Sequence, residues 1–359
     1  MTDHKPLRLH CWEGYERAGF LAPFRDRYGA DVSVQALVTD YEAARNCAAA
    51  ESERPDILNI NNAWIRGYLD PLGAIRPLQD GQFSGMDGDI HPDFARLAAW
   101  TRSADGDRRL GIAQRFGAFN LVVNTRRISL GTAEAEGFSL ARDPSMKRRY
   151  GILLYRDFNL FHLAIAAGLN PFRPFEEEAF AKFEAMAAHW FESAGLLSED
   201  HFVLNRKLVD GEIDFYLSGG TYTASPARLA GHGQIRAVTP RSGPVDGLGG
   251  IVFTEVTSVL VNPDPHPLAD RFLEWMLSED AAHRAATAPR TLNPVLQMGN
   301  PAVMERFTSA ELDAIQWDSL AEDVARCTEY DLMPDHDRLA GVLDSEIKRH
   351  QHLIVEDLP

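Results

Sequence analysis

The chain has 359 residues, and 45% of them are hydrophobic, which is an ordinary share for a globular protein. Its formal net charge of −16 would repel phosphate groups, so the composition argues against binding to nucleic acids and to anionic membrane surfaces. No part of the sequence offers the roughly 18 consecutive apolar residues of a transmembrane helix.

Two features of the sequence bear on the compartment of the protein. Residues 1–6 lack the basic and apolar regions of a signal peptide, so either the protein is cytoplasmic or a leader has been removed. Cys11, Cys47 and Cys327 lie far apart and form no C-x-x-C pair, which favours three free thiols over a zinc or redox motif. Such thiols fit a reducing compartment or an exported protein without disulfides.

The first 78 residues alternate between strand and helix patterns. Strands are predicted at Leu7–Cys11, Val32–Ala36 and Asp56–Ile60, and polar or aromatic residues follow each of them. These residues are Trp12, Glu13, Tyr15, Asp40, Asn61 and Asn62. Because ligands of open α/β sheets bind outside the carboxyl ends of the strands, the pattern predicts a binding site at this edge.

The rest of the chain continues the alternation, which predicts mixed sheets covered by helices on both faces. Further strands are predicted at 110–113, 119–124, 151–155, 213–217, 235–238 and 251–261, and helices around 180–191, 268–276 and 339–347. The polar stretch at 123–127 and the segment 239–250, rich in glycine and proline, are predicted crossings between two lobes.

Several segments of the sequence, taken together in chain order, resemble the extracellular solute-binding proteins of ABC importers, in the spermidine/putrescine-binding group. The opening W-x-x-Y loop is matched by Trp12 and Tyr15, and the G-x-[IL]-x-P-[IL] segment by Gly73–Leu78. Later matches are Phe116-Gly117-Ala118 with Val123-Asn124, Leu217–Tyr222, and Gly249–Glu255. The similarity runs from Leu7 to about Ile347.

The resemblance implies an α/β fold of the two-lobed type II periplasmic-binding-protein class, with a ligand cleft between lobes that are mixed sheets flanked by helices. Lobe 1 is predicted to comprise residues 1–122 and 252–296, and lobe 2 residues 123–251 and 297–359. The implied protein is a periplasmic monomer without catalytic activity, cofactor or metal, whose leader has been removed. It closes around a small-molecule ligand and delivers it to the membrane permease of an ABC transporter.

The site residues that the resemblance implies, placed at the matching positions of this sequence, are combined with those from the strand-end pattern into one set of candidate ligand-binding residues. They are Trp12, Glu13, Tyr15, Asp40, Asn61, Asn62, Arg115, Phe116, Tyr155, Asp157, Tyr222, Phe253, Glu255 and Arg290. Glu255 is expected to anchor an amine, and Arg115 or Arg290 to hold a carboxylate. The family's pair of acids is reduced here to Asp157, so a zwitterion or a carboxylate-bearing amine is favoured over a polyamine.

Other interpretations of these residues remain open at the level of sequence. Asn61 and Asn62 also suit a helix cap, and Asp157 a charge in the first turn of a helix. Glu255 also suits an internal salt bridge. An enzyme on the same fold would use Cys11 with Glu13, although strand alternation predicts that Cys11 is buried. A cytoplasmic ligand sensor is the third functional class.

Overall fold

The computed structural model describes residues 5–49, 51–79, 81–288 and 291–356, and the backbone alone at residues 84 and 85. The chain divides into two compact units. Unit 1 comprises Met1–Phe116, Phe253–Thr308 and Tyr330–Leu332, and unit 2 comprises Gly117–Val252, Ser309–Glu329 and Met333–Pro359. The predicted lobe 1 first ended at residue 122, six residues after the end of the first segment of unit 1 at 116. The second segment was predicted to end at 296, twelve residues before the observed end at 308. The return of the chain to unit 1 at 330–332 was not predicted.

The β-strands are β1 (Leu7–Cys11), β2 (Val32–Ala36), β3 (Ile57–Asn61), β4 (Ile112–Asn124), β5 (Tyr150–Leu153), β6 (Leu196–Ser198), β7 (Phe215–Gly220), β8 (Ile235–Val238), β9 (Gly250–Val259) and β10 (Cys327–Glu329). The two predicted strands at 110–113 and 119–124 form one continuous strand, β4, in which every residue is buried. The short strands β6 and β10 were not predicted, because three residues are too few to show a periodicity.

The α-helices are α1 (Ala18–Tyr28), α2 (Asp40–Ala49), α3 (Leu130–Glu136), α4 (Arg156–Ala166), α5 (Glu177–Ser193), α6 (His201–Asp210), α7 (Thr221–Leu229), α8 (Ala269–Met276), α9 (Glu279–Ala286), α10 (Pro301–Met304), α11 (Ser309–Ala314), α12 (Trp317–Ala325) and α13 (His336–Arg349). The 3₁₀ segments are Glu51–Glu53, Ser84–Asp89, Pro92–Thr101, Gly137–Arg142, Pro144–Met146, Leu296–Gly299 and Gln351–Leu353, and Trp64–Leu69 is a π-helix. No helix among the described residues has the length and apolar character needed to span a bilayer.

The sheet of unit 1 brings three strand ends to one edge. Strands β2 and β3 both pair with β1 in parallel, so their carboxyl ends point the same way. Strand β9 runs antiparallel to β3 and places Glu255 directly opposite Asn61. Helices α1 and α8 cover the unit with a cluster of rings in which Phe24 lies 5.0 Å from Phe272 and 5.5 Å from Trp275.

The sheet of unit 2 is also mixed. Strand β7 pairs antiparallel with β4 and parallel with β5, and β5 pairs parallel with β6. Strand β8 pairs antiparallel with β4, and β10 pairs parallel with β9. Helix α5 buries Phe183, Ala187, Trp190 and Phe191, as its apolar spacing predicts, whereas Phe180 is half-buried beneath Arg338.

Candidate functional site

Asp40 is the centre of a hydrogen-bond network at the strand ends of unit 1. Its Oδ1 accepts from the indole Nε1 of Trp12 at 3.0 Å and from the backbone N of Asn61 at 3.2 Å. Its Oδ2 accepts from the Nδ2 of Asn61 at 2.7 Å and from the hydroxyl of Tyr330 at 3.3 Å. Four donors match the approximately four lone-pair positions of a carboxylate. Asp40 therefore holds the loop after β1, the end of β3 and Tyr330 together.

Tyr330 joins this network from the third segment of unit 1. Its hydroxyl accepts from the indole Nε1 of Trp64 at 3.0 Å, and its carbonyl accepts from the Nδ2 of Asn62 at 2.7 Å. The Oδ1 of Asn62 accepts in turn from the backbone N of Thr254 at 3.2 Å. Asn62 therefore connects β3, β9 and Tyr330, which is a different role from the predicted helix cap. Sequence reasoning missed Tyr330, since it lies in no motif.

Glu255 and Arg115 form a buried ion pair in unit 1. The guanidinium Nε and Nη2 lie 2.9 Å from the two carboxylate oxygens, and the exposed fractions of the side chains are 3% for Arg115 and 7% for Glu255. Burial raises the pKa of the Glu255 carboxyl, and Arg115 opposes that shift. The pair supports the salt-bridge interpretation of Glu255, and ligand contact by either residue remains a prediction.

The W-x-x-Y loop supports the same arginine. Arg115 donates through Nη1 to the carbonyl of Glu13 at 2.8 Å, and its guanidinium lies 4.2 Å from the ring centre of Tyr15. Gly14 has a φ of +98°, and a Cβ there would lie 2.7 Å from the Cβ of Ala288, so only glycine fits. Tyr15 is buried, Trp12 is half-buried and Glu13 is exposed. Trp12 thus presents part of its ring to solvent, whereas Tyr15 packs.

The remaining candidates of unit 1 differ in burial. Phe116 is fully buried with its ring 4.6 Å from that of Phe94, which favours packing over ligand contact. Phe253 is 5% exposed and is likewise a buried side chain. Arg290 lies outside the described residues.

Unit 2 carries a separate cluster of aromatic rings. Tyr155 lies parallel to Phe119, with ring centres 5.7 Å apart, and the hydroxyls of Tyr155 and Tyr222 are hydrogen-bonded. Phe158 packs 4.2 Å from Phe119. Tyr155 and Phe158 are half-buried and Tyr222 is 9% exposed, so the cluster retains solvent-accessible ring surface. The two tyrosines proposed from sequence are therefore in contact.

A β-bulge positions this cluster. The pairing of β4 with β7 shifts after Asn120, which leaves Ser218 as the extra residue with a φ of +60°. The Oγ of Ser218 bonds to the Nδ2 of Asn159 at 2.8 Å and to the Nδ1 of His162 at 2.9 Å. Burial lowers the pKa of His162 to about 3, so its ring is neutral. The Gly219-Gly220 pair after Ser218 is the sequence signal that could have indicated the bulge.

Asp157 forms an ion pair with His336. Asp157 lies at the start of helix α4, and His336 lies at the start of helix α13. The Nε2 of His336 lies 2.9 Å from Asp157, and the Nδ1 lies 3.4 Å from Asp337. Burial alone would lower the pKa of His336, but its bonds to the two carboxylates outweigh this effect and raise the pKa. Each ring nitrogen of His336 faces a carboxylate oxygen, an arrangement that favours the imidazolium form, which donates at both nitrogens.

The cysteine thiols and the potential metal ligands bear on the enzyme interpretation. Cys11, Cys47 and Cys327 are buried and form no disulfide in the described part of the chain. Burial raises the pKa of Cys11, so it is a poor nucleophile and the enzyme interpretation gains no support from it. Within the described ranges, no group of three or more His, Cys, Asp or Glu residues could hold a metal ion.

Several solved binding proteins share this fold. The spermidine/putrescine ABC transporter substrate-binding protein PotD of Streptococcus pneumoniae has 12% identity and a TM-score of 0.65, and the alignment covers 97% of this chain and 99% of PotD. The TpPotD lipoprotein of Treponema pallidum has 12% identity and a TM-score of 0.69, with 95% of this chain and 99% of that chain covered. The binding protein MotA of A. tumefaciens B6, solved with glucopine, has 14% identity and a TM-score of 0.64, with coverages of 95% and 99%.

These similarities establish the fold. No protein-family model matches the chain, and no curated protein matches its sequence. The structural matches nevertheless cover nearly the whole chain, so the predicted two-lobed type II periplasmic-binding-protein fold is confirmed.

Proposed function

We propose that the chain is the solute-binding component of an ABC importer. It binds a small polar organic solute and releases it unaltered to a membrane permease. The observation that carries this proposal is the Asp40 network, which holds the partly exposed ring of Trp12 at the shared carboxyl edge of three parallel strands. Binding at that edge is the general rule for open α/β sheets, and the fold of the structural neighbours supports it.

The partner and the location follow from the same proposal. Proteins that share the fold include an ABC transporter substrate-binding protein and a lipoprotein, which supports a position outside the cytoplasm for this chain. A permease complex that contains the cognate ATPase should hydrolyse ATP faster when the loaded protein is added. An unchanged ATPase rate with loaded protein would count against delivery to that permease.

A thermal-shift screen tests the binding function directly. The panel comprises polyamines, amino acids, betaines and small aromatic acids. A solute at a hundredfold excess over its Kd stabilises the folded protein by about 2.7 kcal/mol, which is easily detected as a rise in Tm. Mass spectrometry of a hit recovered after prolonged incubation should return the solute unchanged. Conversion of the solute would instead support an enzyme.

A matched pair of variants locates the site. Trp12→Ala removes a half-buried ring at the strand-end edge, whereas Leu72→Ala removes a side chain of unit 1 that is 55% exposed. Calorimetric titration should show weaker binding only for Trp12→Ala. Equal affinity for the hit in both variants would place the site elsewhere.

A further inference from the structure

Three of the four candidate carboxylates, two in unit 1 and one in unit 2, are already satisfied by partners within their own unit. Asp40 accepts hydrogen bonds from Trp12, Asn61 and Tyr330. Glu255 is paired with Arg115 through both oxygens, and Asp157 is paired with His336. A carboxylate with vacant lone pairs gives the ammonium group of a solute its strongest hydrogen bond.

The Arg115–Glu255 pair is built firmly into unit 1. Besides its two bonds to Glu255, Arg115 donates to the carbonyl of Glu13 and lies over the ring of Tyr15. Gly14 lies beside this guanidinium, and a Cβ there would approach Nη1 to 3.2 Å, so a larger residue would press on the arginine. The arginine is therefore held from three directions. A solute cation would have to displace it from a position where it is nearly fully buried.

The position of the pair connects it to the strand-end edge. Glu255 is directly opposite Asn61 in the pairing of β9 with β3, and directly opposite residues project from the same face of a sheet. Asn61 is also the residue that donates twice to Asp40. Arg115 therefore neutralises the acidic group that is adjacent to the network proposed to hold the solute.

We propose that Arg115 and His336 are built-in counter-ions that determine specificity, and that the solute carries no ammonium or guanidinium group. This inference rests on the proposed solute-binding function. In unit 1 the guanidinium of Arg115 occupies the place that a solute cation would take beside Glu255. In unit 2 the imidazolium of His336 does the same beside Asp157. The solute is recognised by ring surfaces and by the buried amide Oδ1 of Asn61, which has no hydrogen-bond partner among the described residues.

The test uses putrescine and spermidine as probes on the full chain. At about pH 6, where the raised pKa of His336 favours its charged form, neither amine should raise the Tm of the wild-type protein. A bound ammonium group would favour the ionised form of a freed carboxylate, as Arg115 does for Glu255. Arg115→Met leaves Glu255 without its cation, so putrescine should raise the Tm of this variant by several degrees and bind at least tenfold more tightly than to wild type. Arg115→Lys keeps a cation and should not respond.

The double variant Arg115→Met/Glu255→Met is the control for location. It lacks both charges, so its Tm should not respond to putrescine. Circular dichroism confirms that each variant is folded before titration. If Arg115→Met does not fold, the same comparison is made in unit 2. His336→Gln should gain a response to putrescine, and His336→Gln/Asp157→Asn should lose it.

Each outcome decides the inference. A gain of amine binding in the single variants that disappears in the double variants supports it. Micromolar binding of putrescine or spermidine by the wild-type protein would overturn it while leaving the solute-binding function intact. Folded single variants that do not respond would also overturn it, because neither cation would then be what excludes the amines. Failure of the whole solute panel on wild type would instead refute the proposed function.

Discussion

The Arg115–Glu255 pair makes a quantitative prediction about stability. Both side chains are nearly inaccessible to solvent and are joined by two contacts of 2.9 Å. Removing one partner of a buried ion pair destabilises a protein by about 3–5 kcal/mol, because the other charge is left uncompensated. We expect a loss of this size for Glu255→Met and for Arg115→Met.

The double variant separates pairing from packing. If the two residues acted independently, Arg115→Met/Glu255→Met would lose about 6–10 kcal/mol, the sum of the single losses. No uncompensated charge remains in the double variant, so its loss comes from the other contacts of the two residues. Arg115 loses the bond to the Glu13 carbonyl, about 1 kcal/mol, and the contact with the Tyr15 ring, about 0.5–2 kcal/mol. Glu255 loses its polar contacts with Tyr15 and Asn59, about 1 kcal/mol each. The expected loss is about 3.5–5 kcal/mol, which is still below the additive sum.

Chemical denaturation followed by tryptophan fluorescence measures the four proteins of this cycle. Midpoints and slopes are compared, so that a change in cooperativity is not mistaken for a change in stability. Additive losses would refute the claim that the pair acts as one unit. A loss below about 1 kcal/mol for Glu255→Met would show that the carboxylate is not confined in the buried pair.

Three further predictions concern other parts of the site. Trp12→Ala should weaken binding of the screened solute at least tenfold, about 1.4 kcal/mol, as measured by calorimetric titration. Asp40→Asn should lower stability by about 1–3 kcal/mol, because donors face both oxygens of Asp40 and the new NH2 group would meet donors in either orientation of the amide; an unchanged Tm would contradict the network. The raised pKa of His336 implies a stabilisation that is fully present below the ordinary value of 6.5 and is lost as pH rises through the folded-state pKa. Denaturation between about pH 6 and pH 9 should show this loss in wild type and not in His336→Gln.

The sequence predicted the fold well because its strands carry strong local signals. Alternation in β1 and β2 gave their bounds to the residue, and the polar groups after β1, β2 and β3 indicated the shared edge. The same reasoning split β4 in two. Periodicity does not reveal a strand in which every residue is buried, because both of its faces are apolar.

The partners of the site residues could not be predicted in the same way. Arg115 and Glu255 are 140 positions apart, and Asp157 and His336 are 179 apart, so no local pattern connects them. Sequence reasoning left an internal salt bridge open for Glu255, but it did not identify Arg115 as the partner. Their pairing depends on tertiary geometry, which brings Glu255 in the middle of β9 beside Arg115 in β4. Tyr330 was missed for the same reason, since the contacts of its short segment in unit 1 are all distant in sequence.

The internal pairing changes how the candidate site is expected to obtain its affinity. A vacant carboxylate loses its hydration when a cation binds to it. In this protein Arg115 and His336 already compensate the charges of Glu255 and Asp157 in the folded state. The Asp40 network likewise holds Trp12 and Asn61 in place before a solute arrives, which reduces the entropy lost on binding. Aromatic burial and amide hydrogen bonds then remain as the main sources of binding energy. The buried charges therefore act chiefly by rejecting amines, since specificity is a difference between affinities and an occupied carboxylate lowers the affinity for a competing cation.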